Sequence, residues 1–362
     1  MTRLKDRIAA LIEVNGPISI ADYMALCLFD PDSGYYTNRE PFGAAGDFIT
    51  APEISQMFGE LVAVWLRATW DAIGCPAPVT VAEIGPGRGT LMKDALRALS
   101  KLDPDFAADA DIAMIETSPR LTEIQRDTLE AISARVSWYD SVDGLPPRPL
   151  LIVGNELFDA VPIRQYVRAG GKWRERAVGL DESGGLSFVA GAGAPDPSLL
   201  PPNADGAPEG AIVELAPARA ALMETIAERI GNHGGAGLFI DYGYTSPAFG
   251  DTLQAVRKHR YEDVLANPGE ADLTAHVDFA ALAGAADRRG LHAQIMTQGD
   301  FLLGMGLLER AGRLGADADH AARERLSGEV ERLAGPDQMG ALFKVLAIAP
   351  RGTTIQPFRT PD

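Results

Sequence analysis

Three glycines and a preceding carboxylate make one short segment of this sequence suited to binding a nucleotide-like ligand. The segment reads Glu83-Ile84-Gly85-Pro86-Gly87-Arg88-Gly89-Thr90. It follows a short apolar run that predicts a buried strand, and a helix is predicted from about residue 90 to residue 99. A dinucleotide-binding fingerprint needs its third glycine one position later, at residue 90, which is a threonine here. The spacing therefore disfavours a dinucleotide site.

The same segment fits S-adenosylmethionine, because a G-x-G-x-G spacing with an acid two residues ahead is typical of the sites that bind this cofactor in Rossmann-like methyltransferases. Glycines let the backbone lie against the ribose and the amino-acid tail of the cofactor. The tail carries an ammonium group, with which the Glu83 carboxylate can pair directly or through water. A tight turn alone would explain the three glycines equally well. The predicted cofactor-binding residues in this segment are Glu83, Gly85, Pro86, Gly87, Gly89 and Thr90.

Polar side chains also follow the next three predicted strands, at 112–115, 136–139 and 150–153. They are Glu116 with Thr117, Asp140 with Ser141, and Asn155 with Glu156. The first pair supplies a carboxylate for the two ribose hydroxyls, the second an acceptor for the adenine amino group, and the third lies beside the expected transfer site. A helix cap or a solvated turn explains any one acid alone. Four strand ends that all carry polar groups predict a ligand site, since ligands of open α/β sheets bind at the carboxyl ends of strands.

Apolar strands alternate with helices after residue 76, which predicts a doubly wound, Rossmann-like α/β sheet covered on both faces. The predicted strands are 79–84, 112–115, 136–139, 150–153, 238–240, 291–296 and 343–349. The predicted helices of this part begin at 90, after Pro119, and at 157, 219, 279 and 321. Residues 1–75 predict a mainly helical cap with a long helix at about 54–73. Residues 76–362 predict the core, with a β-hairpin and loop insertion at about 164–215.

Composition excludes several classes of partner. The chain has 362 residues and a net charge of −17, which disfavours nucleic acid and anionic lipid as partners. The five histidines are not spaced as metal ligands, so no metal is predicted. Two cysteines, Cys27 and Cys75, are too few for a disulfide framework and predict reduced thiols.

Two further features bear on location. No apolar run approaches the ~20 residues that span a bilayer, so no membrane insertion is predicted. Residues 1–14 mix acids with bases and lack a long apolar stretch, so neither a signal peptide nor a mitochondrial presequence is predicted. The expected location is the cytoplasm of a bacterium. The sequence predicts no oligomeric state.

Seven sequence blocks resemble the MidA family of S-adenosylmethionine-dependent methyltransferases, whose mitochondrial members assist the assembly of respiratory complex I. The blocks extend from the N-terminal region nearly to residue 310, and one residue, Leu157, stands where the family often has phenylalanine. The matching blocks are Gly46–Ser55, Glu83–Leu91, Glu116–Pro119, Asn155–Ala160, Asp241–Tyr244, Gly250–Gln254 and His276–Phe279.

The resemblance implies methylation of an arginine side chain in a protein, which in the mitochondrial case is a complex I subunit. For this chain it implies a protein substrate, and a bacterial NADH dehydrogenase subunit is the corresponding candidate. Two alternatives stay open: a small-molecule methyltransferase of the same fold, and an assembly chaperone that binds the cofactor without turnover.

Methyl transfer to arginine needs carboxylates, because the guanidinium group is charged and must be held for attack. Glu156 and Asp159 are the predicted gripping residues, and Asn155 lies beside them. Asp47, in the loop before the core, is a further candidate that closes over the cofactor. Asp159 has an equal alternative as a first-turn acid at a helix N-terminus, and Asp241 at the end of the fifth strand is an additional candidate.

Overall fold

The computed structural model describes residues 4–38 and 50–358, which divide into two compact units. The first unit comprises the described residues of 1–48 together with 158–221 and 246–278. The second comprises those of 49–157 together with 222–245 and 279–362. Each unit buries its own apolar residues.

Local sequence signals set the helix ends. Gly16, at φ +83°, ends the first helix, and its backbone N–H donates to the Ile12 carbonyl at 2.8 Å. Ser19 caps the second helix, because its hydroxyl oxygen accepts the Asp22 backbone N–H at 3.0 Å. The helices are α1 (Leu4–Asn15), α2 (Ile20–Phe29), α3 (Tyr35–Asn38), α4 (Ala51–Ile54), α5 (Gln56–Ala72), α6 (Thr90–Leu102), α7 (Pro104–Asp109), α8 (Pro119–Leu129), α9 (Pro217–His233), α10 (Phe279–Arg288), α11 (Gln298–Gly304), α12 (Leu307–Gly315), α13 (His320–Ala334) and α14 (Met339–Leu342).

The strands form one large sheet in the second unit and two smaller sheets in the first. Several strands are short and lie in segments that carry no clear periodic pattern, so the sequence did not predict them. The strands are β1 (Ile18–Ser19), β2 (Thr80–Ile84), β3 (Asp111–Ile115), β4 (Val136–Tyr139), β5 (Leu150–Asn155), β6 (Arg164–Ala169), β7 (Lys172–Leu180), β8 (Leu186–Ala190), β9 (Ile212–Leu215), β10 (Gly235–Tyr244), β11 (Gln254–Arg257), β12 (Arg260–Glu262), β13 (Asp272–Thr274), β14 (Val277–Asp278), β15 (Leu291–Thr297) and β16 (Phe343–Pro350).

The large sheet of the second unit has the strand order β15-β16-β10-β5-β2-β3-β4. Strands β10, β5, β2, β3 and β4 pair in parallel, and β16 pairs antiparallel with both of its neighbours. The central strands are mainly apolar, as strands covered on both faces usually are, and Leu150, Leu151, Ile152 and Val153 of β5 are all fully buried. The doubly wound α/β prediction is confirmed.

At three strand ends of this sheet, a backbone hydrogen bond holds the start of the loop that follows the strand. At each end, the first residue after the strand donates its backbone N–H to a carbonyl of a neighbouring strand. The bonds join Gly85 to Ile115 at 3.1 Å, Glu116 to Tyr139 at 2.9 Å, and Glu156 to Ile240 at 2.8 Å. Because backbone bonds hold them, the loops leave the sheet at defined positions.

The first unit contains an antiparallel sheet of order β1-β7-β6-β9, with β8 paired to β7, and a separate sheet of order β12-β11-β13. The predicted hairpin is present as β6 and β7, and Gly170 and Gly171 join them at φ +61° and +72°. Positive φ at both positions is what a two-residue hairpin turn requires. Helices α1 and α2 bury Ile8, Ile12 and Ile20 in this unit's core.

The structure adjusts the start of one predicted helix and replaces another by a turn. The helix predicted at 54–73 is present as α5 (Gln56–Ala72), which begins two residues later because Ser55 has an extended backbone and caps it through the Met57 N–H at 3.2 Å. The segment 157–160, predicted as helical, is a turn closed by the Val161 N–H on the Phe158 carbonyl. Pro162 follows that turn and disfavours helical backbone at Val161. Strand β16 is antiparallel, since it starts at the edge of the sheet where β15 ends.

The bounds of the two units differ from those of the cap (1–75) and the core (76–362) that the sequence predicts. Helices α4 and α5 belong to the second unit, where Phe58 and Trp65 of α5 share a core with Leu96 of α6. The predicted insertion at 164–215 lies within the first unit, which also takes in 246–278. No helix among residues 4–38 and 50–358 is long and apolar enough to cross a bilayer.

A single buried arginine joins separate segments of the first unit. Arg219 is 2% exposed, and its guanidinium group donates to four backbone carbonyls. Its Nε bonds the Val161 oxygen at 3.1 Å and its Nη1 the His276 oxygen at 2.7 Å. Its Nη2 bonds the oxygens of Asp159 at 3.0 Å and Ala275 at 3.1 Å. The fork geometry of guanidinium suits this bridging role, which lysine cannot reproduce.

We expect Arg219→Met to lower the free energy of unfolding by about 3 kcal/mol or more, because it leaves several buried carbonyls without donors. Chemical denaturation monitored by circular dichroism measures the loss. Arg325→Met, at an exposed position of α13, is the matched control and should change stability by less than about 0.5 kcal/mol. Equal stability of the two variants would contradict the bridging role.

Candidate functional site

The glycine loop, defined as residues 85–89, joins β2 to α6 in the second unit. Gly85, Gly87 and Gly89 have φ values of +66°, +51° and +79°, a region in which side chains other than glycine are strained. Gly89 is the N-cap of α6, and its N–H donates to the Pro86 carbonyl at 2.8 Å. All three glycines are therefore required by the backbone itself, and the loop presents main chain without side chains in the way.

Glu83 lies beneath this loop at the end of β2 and is 3% exposed. Its Oε2 has no hydrogen-bond partner among the described residues. Burial raises the pKa of this carboxyl group to about 8, and a hydrogen bond from the Met92 backbone N–H acts in the opposite direction. A buried acid with an unpartnered oxygen next to a bare backbone loop fits a ligand that brings a cationic group, such as the ammonium of S-adenosylmethionine.

Thr90 follows the glycine loop and contacts α4. Its hydroxyl donates to Glu53 Oε1 at 2.6 Å. The bond ties the start of α6 to the segment that precedes the core, within the second unit. Thr90 therefore has a structural role in this structure, beside the predicted cofactor role.

Glu116 stands at the end of β3, half-buried, with part of its acceptor capacity already used. Its Oε1 accepts the Ser118 backbone N–H at 2.8 Å, and its Oε2 accepts from the Gln125 side chain at 3.2 Å. Burial raises the pKa of Glu116, and these donors act against the rise. A carboxylate has about four acceptor sites, so a fixed Glu116 retains capacity for hydroxyl donors such as those of a ribose.

Gln125, on α8, is a residue of this site that sequence reasoning missed. It is fully buried, and its Nε2 also donates to the Gly87 carbonyl at 2.8 Å. A signal was present: the buried face of α8 consists of Leu121, Gln125 and Leu129, so a polar amide occupies an apolar position of the helical stripe. A buried amide needs partners and so points to a polar environment.

The residues predicted to hold adenine lie at the end of β4. Asp140 and Ser141 are both exposed, and Thr117, after β3, is exposed as well. Strand β4 pairs in parallel with β3, with Ile115 opposite Tyr139, so these loops leave the sheet at the same edge. Their exposure leaves their polar atoms accessible to a ligand.

Asn155 and Glu156 lie at the end of β5, and Glu156 has a left-handed backbone with φ +50°. Glu156 Oε1 accepts the Asn155 Nδ2 donor at 3.2 Å and the Ala51 N–H at 3.4 Å. The buried Asn155 Oδ1 has no hydrogen-bond partner among the described residues. Positive φ at a residue other than glycine and an unsatisfied buried polar atom are both costly, and such features concentrate at functional sites.

The other predicted acids are placed differently. Asp159 belongs to the first unit, is 5% exposed, and accepts the Ala160 N–H at 2.9 Å. Its alternative role at a helix N-terminus is wrong, since no helix follows it. Asp241 is buried in β10 of the second unit and accepts the Tyr242 N–H at 2.9 Å. Asp47 lies outside the described residues.

Among residues 4–38 and 50–358, no group of three or more histidine, cysteine or acidic side chains is arranged to hold a metal ion.

The raised pKa of Glu83 makes the stability of the ligand-free protein depend on pH. The folded state keeps its proton up to about pH 8, whereas the unfolded carboxyl group loses it near pH 4.5. This group's contribution is therefore fully present below pH 4.5 and is lost as the pH rises toward 8.

We expect Glu83→Gln to be more stable than the parent protein at pH 8 by on the order of 3 kcal/mol, with the difference closing toward pH 4.5. Urea unfolding at several pH values measures this. Glu182→Gln, at an exposed turn position, is the control and should follow the parent curve. If the stability of Glu83→Gln changes with pH in the same way as that of the parent protein, Glu83 is not protonated in the folded protein at these pH values.

Comparisons with known proteins agree with this geometry. A family model for S-adenosyl-L-methionine-dependent methyltransferases matches residues 61–297. The protein arginine methyltransferase NDUFAF7 homolog, mitochondrial, of Drosophila melanogaster is 36% identical, over 96% of this chain and 85% of its own length. The mitochondrial protein arginine methyltransferase NDUFAF7 of Danio rerio is 34% identical, over 94% of this chain and 85% of its own length.

A crystal structure from Burkholderia thailandensis, solved with bound S-adenosylhomocysteine, has a TM-score of 0.84 and 30% identity, and the match covers 99% of this chain and 95% of that one. The predicted family and cofactor are confirmed. The chain belongs to this family of S-adenosyl-L-methionine-dependent methyltransferases.

Proposed function

We propose that this methyltransferase modifies an arginine side chain of a protein. The observation that carries the proposal is the near-full-length similarity to relatives that are named protein arginine methyltransferases. The strand-end pair Asn155 and Glu156 supports it, because a carboxylate and an amide oxygen are the groups that hold a guanidinium.

The positive charge of the guanidinium group determines how the protein must bind it for methyl transfer. With a pKa of ~13.8, removing a proton from a guanidinium at pH 7 costs roughly 9 kcal/mol. The bound cofactor supplies an electrophilic methyl group, so the protein needs to hold the guanidinium in line and let the proton leave during or after transfer. Glu156, whose carboxylate is fixed through its Oε1, is the proposed gripping residue. Asp159 and Asp47 are proposed as further acceptor-binding acids.

The second unit carries the residues that we propose for the cofactor. Glu83 faces the ammonium group, the glycine loop lies along the ribose and the amino-acid tail, and Glu116 accepts from the ribose hydroxyls. Asp140, Ser141 and Thr117 are proposed for the adenine side, with Asn155 beside the methyl group. The unpartnered Oε2 of Glu83 and Oδ1 of Asn155 are the observations that favour these positions.

A protein substrate with a basic segment suits the net charge of −17, since opposite charges accelerate encounter. We propose a subunit of an NADH dehydrogenase as that substrate, from the resemblance to the family whose mitochondrial members assist complex I assembly. We also propose a reducing, cytoplasmic location, which the exposed free thiol of Cys75 favours, whereas the relatives are named mitochondrial proteins.

We expect Gly87→Val to weaken binding of S-adenosylhomocysteine by roughly a hundredfold or more, because a branched side chain at φ +51° forces the loop to move and fills the ribose path. Isothermal titration calorimetry measures the affinity. Gly184→Val is the matched control: Gly184 has φ +80° and open space around it in the first unit. Unchanged affinity in Gly87→Val would show that the loop does not bind the cofactor.

The reaction is tested with methyl-labelled S-adenosylmethionine added to the purified enzyme and a bacterial lysate. We expect label in a protein band, on arginine after hydrolysis, and a loss of about tenfold or more in Glu156→Ala. Glu182→Ala is the control and should retain activity. Both variants must keep their melting temperature and their affinity for S-adenosylhomocysteine.

Other outcomes distinguish the alternatives. Label found only in the small-molecule fraction would identify a small-molecule methyltransferase. Tight cofactor binding with no labelled product would identify a chaperone that does not turn over.

A further inference from the structure

Gln125 joins the two parts of the second unit that we propose for the ribose, and its bonds leave it little freedom. The side chain is fully buried. Its Nε2 donates to the Gly87 carbonyl at 2.8 Å and to Glu116 Oε2 at 3.2 Å. Its Oε1 accepts the Trp138 indole N–H at 2.9 Å. Helix α8, the glycine loop, β3 and β4 therefore meet at one amide.

The orientation of this amide follows from its partners. The Gly87 carbonyl and the Glu116 carboxylate can only accept, and the Trp138 indole can only donate. Turning the amide over would place its oxygen against two acceptors and its nitrogen against a donor. The network therefore allows a single orientation, and both N–H bonds of the nitrogen are used.

Two groups that would otherwise rotate are held by these bonds. The Gly87 peptide belongs to a glycine, whose backbone has the widest conformational choice. The Glu116 carboxylate has three side-chain torsions of its own; the Ser118 N–H bonds its Oε1, and the Thr117 backbone N–H also contributes. The Nε2 of Gln125 bonds Glu116 Oε2, and the same nitrogen also bonds the Gly87 carbonyl of the glycine loop. Its Cγ would also lie 3.5 Å from a Cβ placed on Gly89.

We propose that Gln125 is a positioning residue that sets the ribose selectivity of the cofactor site by holding the Glu116 carboxylate and the Gly87 peptide at a fixed separation. The inference rests on the proposed assignment of Glu116 to the ribose hydroxyls. Gln125 touches neither ribose nor methyl group in this role, and Trp138 in turn holds Gln125.

The test measures affinities by calorimetry for two ligands, S-adenosylhomocysteine and its analogue that lacks both ribose hydroxyls. The ratio of the two dissociation constants is the ribose discrimination. It is measured for the parent protein, Gln125→Met, Trp138→Phe and Glu116→Gln. Gln298→Met is the matched control, since Gln298 is a second fully buried glutamine of the second unit, bonded to the Leu333 carbonyl at 2.8 Å.

We expect Gln125→Met to bind S-adenosylhomocysteine about tenfold more weakly and the analogue almost unchanged, so that the discrimination falls by about the same factor. Trp138→Phe should lower the discrimination in the same direction by a smaller factor. Gln298→Met should reduce the melting temperature and leave the discrimination intact. If Gln125 had a purely structural role, Gln125→Met would weaken the binding of S-adenosylhomocysteine and of the analogue by the same factor.

Two results would overturn the inference while the ribose assignment stands: unchanged discrimination in Gln125→Met, or equal weakening of both ligands, with discrimination still lost in Glu116→Gln. If Glu116→Gln keeps full discrimination, the ribose assignment itself fails. Should Gln125→Met not fold, Trp138→Phe is judged by the same criterion.

Discussion

The parallel pairing of β2, β3 and β5 is the constraint on which the rest of the second unit depends. Each of these strands is followed by a residue whose backbone N–H bonds a carbonyl of a neighbouring strand. The loops that carry Gly85, Glu116 and Glu156 therefore start at one edge of the sheet with their first residue already fixed. Side chains that lie far apart in the sequence are brought to that edge by backbone hydrogen bonds rather than by contacts of their own.

Polar groups buried near this edge divide into satisfied and unsatisfied ones. Gln125 and Glu116 complete a bonded network, whereas Glu83 Oε2 and Asn155 Oδ1 have no partner in the described part of the chain. Leaving such atoms unpaired costs stability, and the cost is offset when a ligand supplies the missing donors. In the site that we propose, the satisfied groups form the frame and the unsatisfied groups are the ones that a ligand would pair.

The sequence predicted the parts of this frame that are governed by local rules. Apolar runs located the strands, and the glycine spacing located the loop, since both depend on steric limits that act over a few residues. Gln125 was missed because its role comes from the distant Gly87 and Trp138. The turn at 157–160 was missed because Pro162 outweighs the helix preference of four residues. The antiparallel direction of β16 depends on the path of a long connection, which no local pattern records.

Besides Gln125, which lies next to Gly89, the side chain of Leu157 packs close to the glycine loop at Gly85. Its Cδ1 would lie 3.0 Å from a Cβ placed on Gly85, and it directly follows Glu156 in the chain. Even a methyl group at residue 85 would require the end of this leucine side chain to shift. The loop that we propose for the cofactor and the strand end that we propose for the acceptor are thus in contact through Leu157, so a change at residue 85 is felt next to Glu156.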